Sequence, residues 1–185
     1  MKRKFAPLTF ALVLGAAPVL AAAADFWAGP YLGGQIGLNE ADASHLSSET
    51  AVTGGVLGGY NLAVPIGGPY SPMILGGSVF AEFNGQVTHS PRDVNFGSNA
   101  YGFDFLAGLP LGVQRLWLPY VKVGFGNVDA TGDLGGSDTS ARIGLGAEYH
   151  WTPHMSLSAQ WMHQDADRIT NDNFTVGVRY HFGGG

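Results

Sequence analysis

The sequence predicts an all-β fold, an eight-stranded antiparallel transmembrane up-and-down β-barrel, on three observations. Alternating stretches of about ten residues recur with turn-rich segments between them, which is the period of strands and not of helices. One face of these stretches is apolar, while the other holds all of their charge in balanced acids and bases. Beyond the N-terminal segment, no apolar run is long and unbroken enough for a membrane helix.

The chain has 185 residues, no cysteine, 29 glycines and only 12% charged residues, a profile that suits one β-rich domain. Without cysteine there is no disulfide framework, no thiolate metal site and no lipid-modified N-terminal Cys, so anchoring must come from the fold. Lys2, Arg3 and Lys4 precede an apolar run from Phe5 to Leu20 that ends in Ala21 to Ala24. Gly15 and Pro18 interrupt that run, and it is short for a span of about 20 residues. Residues 1–24 therefore read as a signal peptide cleaved after Ala24, and residues 25–185 as the barrel domain.

Strands are expected near 29–39, 51–62, 74–85, 99–109, 118–128, 140–151, 156–164 and 173–182. The first two carry glycine on both faces. In the third, Val79, Ala81 and Phe83 alternate with Ser78, Phe80, Glu82 and Asn84. The fourth sets Tyr101, Phe103, Phe105 and Ala107 against Gly102, Asp104, Leu106 and Gly108. In the fifth, Val121, Val123 and Phe125 oppose Tyr120, Lys122, Gly124 and Gly126. The sixth opposes Ile143, Leu145, Ala147, Tyr149 and Trp151 to Arg142, Gly144, Gly146, Glu148 and His150. The seventh pairs Leu157, Ala159 and Trp161 against Ser158, Gln160 and Met162. The eighth sets Phe174, Val176, Val178, Tyr180 and Phe182 against Thr175, Gly177, Arg179 and His181.

Taken alternately, the connections fall into two classes. Those at 40–50, 86–98, 129–139 and 165–172 are polar and read as longer external loops. Those at 63–73, 110–117 and 152–155 are rich in Pro, Gly and Leu and read as tighter periplasmic turns, although Ala63 to Met73, with three prolines, is longer than that rule expects. An even strand number puts both termini on the periplasmic side.

Alternation alone also fits a soluble sandwich. Charge parity favours the barrel, because Glu82, Asp104 and Glu148 face Lys122, Arg142 and Arg179. A narrow interior needs such balance, since unpaired charge there is poorly hydrated. These six residues, with His150 and His181, are expected to form a lumenal polar network that plugs the bore. Aromatics lie towards the ends of the apolar faces, at Tyr60, Phe83, Tyr101, Tyr149, Trp151, Trp161, Phe174, Tyr180 and Phe182. Amphipathic rings suit the membrane interface. Glycine crowds the proposed interior, where small and large side chains must alternate. A one-residue slip would turn each buried Lys or Arg into lipid, at about 2–4 kcal/mol near the midplane.

Phe26 to Gly37 resembles the first strand of the opacity-protein and porin-family small outer-membrane barrels, an OmpX-like group, and Gly58-Gly59-Tyr60-Asn61 their second. Ile143 to Trp151 with Ser156 to Met162 resembles their sixth and seventh strands, and Phe174 to Phe182 their closing strand. The resemblance implies insertion by the outer-membrane assembly machinery, which in that family reads a last strand ending in Phe; here Gly183, Gly184 and Gly185 follow Phe182. It also implies that the periplasmic peptidoglycan-binding domain of longer OmpA-type proteins is lacking.

After residue 24 the chain carries six Lys and Arg against fourteen acids, a charge of −8. The four polar connections account for it, with Glu40, Asp42, Glu49, Asp93, Asp129, Asp133, Asp138, Asp165, Asp167 and Asp172 against Arg92 and Arg168. Such loops argue against nucleic acid and heparin-like polyanions. They suit solvation, divalent cations bridging lipopolysaccharide, or a host or environmental surface ligand. The expected partners are outer-membrane lipids and lipopolysaccharide, and no cofactor or metal is expected. A small passive channel is disfavoured by the filled bore. A lipid A-modifying enzyme would need His, Ser and carboxylate near the outer leaflet, whereas His154 and Ser156 lie in a predicted periplasmic turn. The role expected is therefore non-enzymatic, in envelope stabilisation or adhesion-like display.

Overall fold

The structure, a computed structural model, describes residues 26–43, 49–89, 94–132, 136–166 and 169–183. The proposed signal peptide lies outside the described residues. Eight strands, β1 (Gly29–Ala43), β2 (Glu49–Val64), β3 (Met73–His89), β4 (Val94–Gly108), β5 (Trp117–Gly132), β6 (Gly136–His150), β7 (Met155–Ala166) and β8 (Ile169–His181), follow one another around a closed barrel. Each pairs antiparallel with its chain neighbours, and β8 closes onto β1 through pairs such as Leu32 with Tyr180.

Register fixes the shape. Partner-to-partner steps from Tyr31 run through Gly59, Ser78, Asp104, Gly124, Arg142, Gln164 and Asn171 to Ala41, ten residues further along β1. That stagger on eight strands gives a tilt of about 40° and a backbone radius of roughly 8 Å, too narrow for an interior not filled by side chains. Leu32, Ile36, Val52, Val56, Val121, Val123, Leu145 and Val176 all stand exposed on the outer wall. From Val52 to Leu62 this apolar wall climbs roughly 25 Å along the axis, the height of the lipid-facing band of outer-membrane barrels.

All eight expected strands are present, but they run further than the sequence suggested at the end away from the termini. There five, four, three and two residues separate successive strands, whereas eight, eight and four separate them at the terminal end. The expected asymmetry of long external loops and short turns is therefore reversed. Polar composition reports solvent and not irregular backbone: Asp129, Asp138, Asp165 and Asp172 lie on strands that stay paired beyond the apolar band. The long connection at 65–72 has its cause in Gly67 and Gly68, whose φ angles of +73° and +74° set a left-handed bend among prolines that lack an N–H for pairing.

The barrel interior is not polar throughout. At the terminal end Trp27, Ile74, Leu106, Leu118 and Tyr120 form a buried apolar cluster. Trp27 precedes β1 and turns into the bore, where its Nε1 donates to the Arg115 carbonyl at 2.8 Å. Its ring stands edge-on to His150 at 4.1 Å.

Candidate functional site

Alternation along each strand sends every second residue inward, so β3, β4, β5, β6 and β8 each contribute charge to the bore. Glu82, Asp104, Lys122, Arg142, Glu148, His150, Arg179 and His181 are all between 0 and 3% exposed. Seven of them meet in two groups.

The first group lies mid-barrel. The Arg142 guanidinium donates to both oxygens of Glu82, at 2.8 and 3.1 Å, and its Nε lies 3.2 Å from Asp104 Oδ1. Its plane covers the Phe80 ring at 3.8 Å. Asp104 is shared with Lys122, whose Nζ is 4.0 Å away and donates to Gln160 Oε1 at 3.1 Å. Gln160 donates in turn to Gln35 at 2.9 Å, and Gln35 to Glu82 at 3.1 Å. Asn173 adds a further donor to Glu82 at 3.2 Å.

The second group lies nearer the terminal end. Glu148 takes Arg179 on one oxygen and Ser156 with His181 on the other, His181 Nε2 being 2.8 Å away. Arg179 also donates to the Tyr120 hydroxyl at 3.3 Å, and Tyr120 donates to Gln160 at 3.1 Å. The two groups are thus one hydrogen-bonded chain from Glu148 to Glu82. His150 stands beside it, with Nδ1 on the Thr152 carbonyl at 3.1 Å and its ring against Trp27 and His181.

Glycine makes the room. A Cβ on Gly124 would sit 2.3 Å from Asp104 Oδ1, and one on Gly146 would sit 2.6 Å from the Tyr120 ring. Bulk at either place would displace a member of the network.

On the outer wall, register and tilt put the aromatic residues at two heights. Phe83, Tyr101, Trp161 and Phe174 lie towards the hairpin end, while Tyr60, Tyr149, Trp151, Tyr180 and Phe182 lie towards the terminal end. Trp117, not singled out by sequence, joins the lower set by packing on Tyr149 at 4.8 Å. Polar partners accompany the upper set: Asn127 donates to Tyr101 at 2.7 Å, and Trp161 donates to Asp172 at 3.0 Å.

Residues 9–182 match the family model described as outer membrane protein beta-barrel domain. The chain belongs to this family of outer-membrane β-barrels. No curated protein sequence matches it. Among solved structures, this family barrel is similar to Neisserial surface protein A, at 17% identity, with 83% of this chain and 97% of that one covered and a TM-score of 0.63. Ail, the attachment invasion locus protein of Yersinia pestis, matches at 13% identity, 84% and 99% coverage and a TM-score of 0.55. The N-terminal β-barrel domain of Pseudomonas aeruginosa OprF matches at 18% identity, 83% and 98% coverage and a TM-score of 0.54. Ail has also been crystallised with the heparin analogue sucrose octasulfate. At these identities the likeness is one of fold.

The sequence puts Tyr120 and Gln160 on the polar faces without marking them as network members, and it does not single out Trp27, Gln35 or Ser156 as bore residues. Parity is the available signal for Gln35 and Ser156, since Ser156 shares a face with Ser158 and Gln160, and Gln35 with the inward glycines of its strand. Trp27 precedes the first strand and gave no periodic signal. The structure also brings together Ser156, His181 and Glu148, whereas the sequence offers His154 and Ser156 as the nearest candidates. His154 instead stacks on Tyr180 at 5.8 Å, and its Nδ1 meets the His181 carbonyl at 3.1 Å. In the buried trio both Ser156 and Glu148 meet the same nitrogen, His181 Nε2, while Nδ1 has no hydrogen-bond partner. A hydrolytic relay needs the carboxylate on one ring nitrogen and the hydroxyl on the other. The trio of Ser156, His181 and Glu148 does not have that geometry.

Proposed function

We propose that this outer-membrane barrel is a non-conducting, non-enzymatic scaffold that strengthens the envelope and presents its hairpin end to a partner. The carrying observation is the continuous hydrogen-bonded chain from Glu148 to Glu82, ion pairs at both ends joined through Tyr120, Gln160 and Gln35, which crosses the bore beside the apolar cluster around Trp27. Both oxygens of Glu82 and Glu148 and the guanidinium groups of Arg142 and Arg179 are engaged across strands, so opening a passage would strand buried charge. The two aromatic levels would sit at the two membrane interfaces, with the hairpin end outside and the termini in the periplasm.

The partner in this reading is basic. Glu40, Asp129, Asp138, Asp165 and Asp172 lie on the extended hairpin strands, and none of the described residues at that end is Lys or Arg. Ail, which shares the fold, has been seen with a polyanion; the acidic hairpins here favour the opposite charge. Residues 1–24 would serve as the exported leader, removed after Ala24, and N-terminal sequencing of the membrane-inserted protein checks this. Planar-bilayer recording tests the sealed bore: quiet membranes are expected, and sizeable reproducible steps overturn it. Lipid A mass spectra with and without the protein are expected to coincide, and altered acylation would restore the enzyme reading.

A further inference from the structure

Two imidazoles meet inside the terminal end of the bore. His150 and His181 lie 4.6 Å apart, ring centre to ring centre, and are 1% and 0% exposed. Their hydrogen bonds fix where each ring proton sits. The Thr152 carbonyl can only accept, so His150 Nδ1, 3.1 Å away, carries the hydrogen. Glu148, ionised against Arg179, likewise takes its hydrogen from His181 Nε2 at 2.8 Å. His150 Nε2 and His181 Nδ1 are thus left as bare basic nitrogens, buried and without a hydrogen-bond partner.

The surroundings can hold one added proton but not two. A first proton sits on His181, where Glu148 opposes the charge. No second counter-charge faces the pair. Glu148 already serves Arg179, Ser156 is neutral, and the hydroxyls of Tyr31 and Tyr120 stay protonated beside Arg179. His154 approaches only the backbone, with Nδ1 on the His181 carbonyl at 3.1 Å. A second proton, on His150 Nε2, would set two cations 4.6 Å apart away from water and leave a buried donor unmatched. The rings cannot simply part. His150 is paired with Ser156 and its N–H donates to the Leu116 carbonyl at 2.9 Å, while the His181 N–H donates to the His154 carbonyl at 2.7 Å. Their cover is Trp27, edge-on to His150 at 4.1 Å and to His181 at 6.0 Å, and it lies on the segment before β1, outside the sheet. We propose that acid opens this end of the barrel, double protonation of the His150 and His181 pair expelling Trp27 and admitting water to both rings. Exposed imidazoles titrate near about 6.5, so the second proton favours the released form by up to about tenfold for each pH unit below that. The closed form is complete above that range and is lost as the pH falls through it. This device requires neither a sealed bore nor a partner at the hairpin end.

The test is tryptophan fluorescence of the folded barrel in micelles. Trp117→Phe, Trp151→Phe and Trp161→Phe together leave Trp27 as the only tryptophan of the chain. Emission and quenching by acrylamide are followed from about pH 8 to about pH 4.5, across the titration of an exposed histidine. As the pH falls, the emission is expected to move to the red and quenching to rise several-fold, reversibly, while the band stays heat-modifiable on gels. His150→Phe keeps a ring against Trp27 but takes up no proton, and it should abolish the response. His150→Gln replaces it if the phenylalanine variant does not fold. Emission and quenching that stay constant down to the lowest pH overturn the assignment. So does an equal response in the His150 variant, which would place the acid sensitivity at Glu148.

Discussion

Arg142 on β6 grips Glu82 on β3 across the bore, its Nη2 donating to Oε1 at 2.8 Å and its Nη1 to Oε2 at 3.1 Å. The pair joins strands that are not neighbours in the sheet, so its two ends are brought together only when the barrel has closed. Its contribution is better described as enforcing one closed register than as adding net stability, because removing two charges from water offsets most of their attraction.

Breaking one side of that pair is a different matter. Arg142→Ala leaves Glu82 and Asp104 buried without their main counter-charge, and a loss of about 3–5 kcal/mol is expected. Urea titration of the barrel in micelles, followed by the shift between folded and unfolded gel bands, measures it. Against the single variants Glu82→Gln and Arg142→Met, the double variant should lose less than the sum of the two, since fewer charges stay unpaired. If the two single losses simply add, the coupling described here is wrong.

Trp27 carries a second prediction. Its ring is fully buried beneath the ion-pair network, against Ile74, Leu106 and Leu118. Trp27→Ala should cost about 3–5 kcal/mol through the cavity it leaves. Removing an ordinary tryptophan from a mobile N-terminal extension would leave the urea midpoint unchanged, so an unshifted midpoint rejects the insertion.

Legibility followed periodicity. Glu82, Asp104, Lys122, Arg142, Glu148, Arg179 and His181 were each placed inward by strand parity alone, because a period of two leaves one bit to decide and a charged residue decides it. Who would pair with whom was not legible, since Arg142 reaches Glu82 across the bore and partners depend on stagger. Strand ends were misread for the opposite reason: beyond the apolar band both faces are wet, and Asp129 or Asp172 looks the same on a paired hairpin as in a loop. Trp27 lay outside every periodic segment.

Glycines separate by the space around them. A Cβ at Gly146 would press on the Tyr120 ring, and one at Gly124 would meet both Asp104 and the Phe103 carbonyl within 2.3 Å. By contrast, a Cβ at Gly77 on the outer wall would meet nothing within 4 Å. Gly124→Ala and Gly146→Ala should therefore lower the urea midpoint clearly. Gly77→Ala should lie within about 1 kcal/mol of wild type, on the stabilising side, because it also restricts the unfolded chain. A reversed order would mean that the inner wall has slack the close approaches deny.

The sharpest test of which way the faces point uses two adjacent residues of β5. Lys122 is buried beside Asp104, while Val123 stands half-exposed on the apolar wall. Val123→Lys puts an ammonium group into hydrocarbon near the middle of the band and should cost about 2–4 kcal/mol. Lys122→Met keeps comparable bulk and leaves Asp104 with Arg142, 3.2 Å away, so its cost should be the smaller. Folding into lipid vesicles, read as the fraction reaching the heat-modifiable form, ranks the two directly. If Val123→Lys folds as well as wild type while Lys122→Met fails, the apolar wall is not against lipid, and the membrane-spanning reading of this sheet falls with it.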